Sequence, residues 1–123
     1  MAQWLFFAAG GLSALWLLVH VFLGGRDIVR PALGPSGLSP VVRATLYICW
    51  HYTTASIAIM AALFIWAGVS LNVTGAAIAS ALAAAFSLLG ILLVLRQGGR
   101  YRDLPQGWLF VPVAVLGGIG LSL

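Results

Sequence analysis

Four stretches of the chain are almost free of charged side chains, and short connections rich in Arg, Gly and Pro separate them. Residues 4–23, 45–69 and 75–95 each supply the roughly 20 apolar residues that a helix needs to cross a hydrocarbon core about 30 Å thick. Residues 108–123 form a fourth stretch, about 24 Å long as a helix at ~1.5 Å per residue. That is short, so this span is expected to stand upright or to sit where the bilayer thins. Gly24-Gly25 is expected to end the first helix. Pro31, Gly34, Pro35, Gly37 and Pro40 should keep residues 24–40 from continuing it, and Gly98-Gly99 and Pro105-Gln106-Gly107 should break the third connection.

Lipid tails are as apolar as Leu, so helices in a membrane associate through small residues and polar contacts. At about 100° per residue, the first helix gathers Gly10, Ser13, Leu17, His20 and Gly24 on one stripe. The second gathers Ala44, Tyr47, His51, Thr54, Ala55, Ala58 and Ala62, and the third Ala76, Ala79, Ala83, Ser87 and Gly90. The pattern predicts an all-α, single-domain integral membrane protein over residues 1–123, built as an antiparallel four-helix bundle. Gly117, Gly118 and Gly120 in the fourth helix suit packing inside the monomer or against a second copy, and the sequence leaves both open.

Composition narrows the class. The 123 residues are 63% hydrophobic and 7% charged, against roughly 25% charged in soluble domains. A soluble globular domain and a disordered chain are both excluded. One Cys excludes a disulfide framework and a Cys-rich zinc module. The net charge of +4 does not describe a nucleic-acid surface, because all six Arg flank two connections instead of covering a face. Arg26, Arg30 and Arg43 flank the first connection, and Arg96, Arg100 and Arg102 occupy the third. Positive loops stay in the cytoplasm, which predicts a bacterial inner-membrane protein with both termini in the periplasm. Met1-Ala2-Gln3 lacks a basic n-region, so the first span is expected to stay in the mature protein.

Polar residues inside the spans carry the candidate chemistry. An ionisable group in a bilayer is costly and normally faces the bundle interior with a partner. His20 lies about four residues, or ~6 Å, from the Arg-bearing end of the first helix, and His51 about eight residues, or ~12 Å, past Arg43. Antiparallel neighbours would bring the two imidazoles to similar depth. Neutral imidazole ligates metals and haem, so His20 and His51 are candidate ligands for haem b or a transition metal. Tyr47 and Thr54, one turn either side of His51, would be hydrogen-bond partners of the bound group. Arg26, Arg30 and Arg43 are candidates for an anion or a lipid headgroup. Against this stands the plain reading, in which each His donates to a neighbouring hydroxyl or carbonyl. Two His do not complete a four-ligand zinc site, and Cys49 points about 200° away from His51 at ~100° per residue. With two Asp and no Glu or Lys, no catalytic constellation is legible and an enzyme is not expected.

The run His20, Gly24-Gly25-Arg26-Asp27-Ile28-Val29-Arg30-Pro31-Ala32-Leu33 and Trp50-His51-Tyr52-Thr53 resembles a pattern in small, uncharacterised bacterial four-helix membrane proteins. That pattern has a His at the end of helix one, a Gly-and-basic stretch leading to Pro-Leu, and Trp-His-x-Thr in helix two. Pro31-Ala32-Leu33 departs from it by one residue. The resemblance covers about half the chain, implies no activity, and implies that the two His and the connection between them belong together.

Three functional readings follow. One is an intramembrane His-centred binding site near the cytoplasmic side. A second is a structural or accessory subunit whose small-residue faces pack on a larger membrane complex. A third is a small homodimeric transporter, disfavoured because helices one to three are unbroken.

Overall fold

The computed structural model describes residues 1–35 and 37–123, and the described residues are helical apart from short turns and bends. Four helices follow one another: α1, Ala2–Leu33; α2, Pro40–Ser70; α3, Val73–Arg96; and α4, Gln106–Ser122. The first three are long and apolar enough to cross a membrane. In lipid every backbone N–H and C=O must find its partner within the chain, and continuous helices meet that demand.

Helix α1 runs ten residues beyond the stretch read from hydropathy. Gly24-Gly25 does not stop it, because Val19–Val29 adopts π-helical i→i+5 bonding that carries the backbone through both glycines. An α-helical turn, Arg30–Leu33, completes the helix, and Gly34 leaves it in extended conformation at ψ −173°. Ser39 caps the start of α2 by accepting from the Val42 N–H at 3.3 Å. Leu71, in the left-handed region at φ 53°, ends α2. Asn72 then caps α3 through the Gly75 N–H at 2.6 Å, so two residues suffice for this turn.

Each helix packs against its chain neighbours, and α1 also meets α4. Phe6, Ala9, Met60, Phe64, Ala76, Ala79 and Val113 form a closed core between them. The stripes expected on the first and third helices are inward: Gly10 and Ser13 are buried, as are Ala76, Ala79, Ala83 and Ser87. Helix α2 is turned by about one residue from its expected face. It buries Ile57, Met60, Ala61, Phe64, Ala67 and Gly68, while Ala55 and Ala62 are exposed. The reason is a knob fitted to another helix's hole. The Phe64 ring would lie 2.8 Å from a Cβ at Gly117, so the small residue that makes the close approach sits on α4. Gly117 and Gly120 thus face inward, and Gly118 is exposed.

Candidate functional site

The Arg-bearing end of the molecule is not closed in this way. Here the four helices surround a cavity of about 650 Å³, within the size range of small-molecule sites. Trp16 and His20 of α1, Trp50 of α2, Phe86 and Leu89 of α3 and Leu109 of α4 contribute to its largely apolar wall. Phe86 and Phe110 meet edge-to-face with ring centroids 5.2 Å apart. Asp27 and Asp103 also line the cavity. Each is in an exposed ion pair with an arginine, Asp27 with Arg26 at 2.6 Å and Asp103 with Arg100 at 2.9 Å.

His20 is the polar centre of the wall. It sits at the start of the π-helical segment and faces α2. Its Nε2 lies 3.0 Å from the Thr54 hydroxyl, and that hydroxyl donates its own proton to the Trp50 carbonyl, 3.0 Å away and four residues back. A hydroxyl has one proton to give. With that bond made, the Thr54 oxygen is the acceptor toward His20, and Nε2 carries the imidazole proton. The imidazole also stacks on the Trp50 indole, with centroids 3.8 Å apart and planes 14° from parallel. Gly24 makes room for this stack, since a Cβ there would lie 2.5 Å from the indole edge. His20, Gly24, Trp50 and Thr54 thus form one packed unit across the α1–α2 contact.

The four residues named as cofactor ligands and partners separate into two pairs. His20 meets Thr54, as described. His51 is exposed, is not part of the cavity wall, and meets Tyr47 edge-on at 4.5 Å and 79°. Among the described residues no group of three or more His, Cys, Asp or Glu is placed to hold a metal ion. The three arginines also divide. Arg26 is engaged by Asp27 through two hydrogen bonds of 2.6 and 3.1 Å, Arg30 is exposed, and Arg43 reaches back to the Leu33 and Gly34 carbonyls at 3.3 Å each.

Sequence reasoning missed Trp50 and Gly24 as site residues. The signal for Trp50 was its place four residues before Thr54, which puts both on one helix face. For Gly24 it was its place on the stripe of His20, four residues on, although which ring lay opposite was not readable. No protein-family model, curated protein or solved structure matches the chain.

Proposed function

We propose that this is an integral membrane protein of the bacterial inner membrane that binds a largely apolar molecule in the His20 cavity. In this reading it is an antiparallel four-helix bundle with both termini periplasmic and both Arg-bearing connections cytoplasmic. The observation that carries the binding reading is the cavity itself: about 650 Å³, walled by all four helices, largely apolar, with His20 and Thr53 among the few polar side chains of its wall. A wall of aromatic and aliphatic side chains takes an apolar body, and a few placed polar groups fix its orientation. An imidazole in such a wall pairs with a hydroxyl or N–H of the ligand. A centre in which His20 and His51 both hold haem b or a metal ion would need His51 to turn away from Tyr47.

The experiment is mass spectrometry of organic extracts from the detergent-purified protein, beside its absorbance spectrum and metal content. A co-purifying apolar species that is lost in Leu109→Trp, which fills the cavity, is the expected result. Stoichiometric haem or metal in the parent protein would overturn the organic reading. The orientation is tested separately: alkaline phosphatase fused after Leu123 should be active, because it folds only outside the cytoplasm. A well-expressed but inactive fusion would reverse the topology.

A further inference from the structure

Arg43 has a surrounding unlike that of any other arginine in the chain. It lies in the first turn of α2, where the helix dipole disfavours a cation, and its side chain reaches instead to the last carbonyls of α1, where the dipole favours one. Nη1 donates to Leu33 and Gly34. Nε is buried and has no hydrogen-bond partner among the described residues. Both side-chain carboxylates, Asp27 and Asp103, are held by Arg26 and Arg100, and the partners of Arg43 are neutral carbonyls. Arg43 as a whole is half-buried, but a buried N–H without an acceptor is costly, and on a guanidinium an anion satisfies it best.

Beside it, between α1 and α2, is a second cleft of about 270 Å³. Ala32 and Leu33 of α1 and Leu46, Tyr47 and Trp50 of α2 line it together with Arg43. Leu46 and Tyr47 are roughly half exposed, at 49% and 42%, so the cleft opens on the outside of the helix pair. A cation at the head of an apolar groove on a membrane helix matches the chemistry of an anionic phospholipid. Guanidinium pairs with phosphate, and the groove replaces bilayer around an acyl chain. We propose that the cleft holds one acyl chain of an anionic phospholipid whose phosphate pairs with Arg43. The cleft adjoins the His20 cavity, with Ile28, Trp50 and Thr53 lining both, but Arg43 and Ala32 line the cleft alone.

Native mass spectrometry of the detergent-purified protein tests this, with phosphatidylglycerol and phosphatidylcholine of identical chains supplied in equal amounts. The parent should retain the anionic lipid over the zwitterionic one by about fivefold, the effect of one arginine near a headgroup. Arg43→Gln should abolish the preference, while Arg43→Lys and the exposed Arg30→Gln keep it. Ala32→Phe, which fills the cleft and leaves the charge in place, should lose retention of phosphatidylglycerol, and it carries the test if Arg43→Gln does not fold. The soluble headgroup glycerophosphoglycerol should not compete; competition would mean a free phosphate site and overturn the acyl-chain half. Equal retention of the two lipids by the parent, or a preference that survives Arg43→Gln or Ala32→Phe, would overturn the proposal.

Discussion

The two ends of this molecule solve the same packing problem differently. Away from the arginines, Phe64, Met60, Val113 and Ser13 are all fully enclosed. Rings from one helix enter glycine-sized gaps on another there, as with Phe64 at Gly117 and Phe6 at Gly120. At the arginine end the backbone of α1 changes pitch, none of the residues from Val19 to Val29 is buried, and a cavity opens between the helices although α3 and α4 stay in contact at Gly90 and Gly107. Apolar side chains are abundant in both halves, so hydrophobicity does not separate them. What separates them is whether the space between the four helices is filled: Trp50 meets Gly24 in the open half too, but a gap remains there among Trp16, His20, Phe86 and Leu109. The closed half is where stability is concentrated, and the open half is where binding is expected.

The largest expected effect is therefore in the closed half. Phe64→Ala should cost about 3–5 kcal/mol, the usual loss for a buried aromatic, read as an earlier unfolding midpoint when SDS is added to the protein in mixed micelles. Leu23→Ala, a cavity-lining position that is half exposed, should cost less than about 1 kcal/mol. Equal losses would dissolve the distinction between the halves. Next in size is Thr54→Val, which leaves the His20 Nε2–H without its acceptor and should cost about 1–2 kcal/mol in the same assay. Gly24→Ala pushes a methyl toward the Trp50 indole and should cost about 1 kcal/mol or more, with a shift in tryptophan emission as the stack on His20 is displaced. An unchanged spectrum would mean that Gly24 does not set the position of Trp50. The smallest effect belongs to Ala62→Leu, on the exposed side of α2, within about 0.5 kcal/mol. Ala61→Leu, its buried neighbour, should cost more, because the α1 backbone at Gly10 approaches the Ala61 carbonyl. If Ala62 proved the more sensitive, α2 would face the way its alanines first indicated.

The helices were legible because lipid leaves the backbone few alternatives, and hydropathy marks where lipid is. The inward faces of α1 and α3 were legible for a related reason: on those helices the small residues are themselves the points of close approach. On α2 that logic pointed about one residue off. A large side chain such as Phe64 is an interior residue only if a glycine 53 positions later lies opposite it, and no local pattern encodes that pairing. In the site, His20 and Thr54 were readable as polar groups on facing helices. Their pairing was not, because depth arithmetic at ~1.5 Å per residue assumes an α-helix, and the π-helical segment begins one residue before His20. The same arithmetic matched His20 with His51, where the structure matches it with Thr54 and Trp50 and leaves His51 with Tyr47.

The central claim is that the His20 cavity, and not a paired-histidine centre, is the binding site. Its most direct test is to compare the organic extracts of the parent, His20→Ala, His51→Ala and Leu109→Trp proteins, purified side by side in one detergent. The account predicts a species retained by the parent and by His51→Ala, diminished by about tenfold in His20→Ala through loss of one buried hydrogen bond, and absent from Leu109→Trp. Retention that falls equally with His20→Ala and His51→Ala, or that persists when Leu109→Trp fills the cavity, would contradict it.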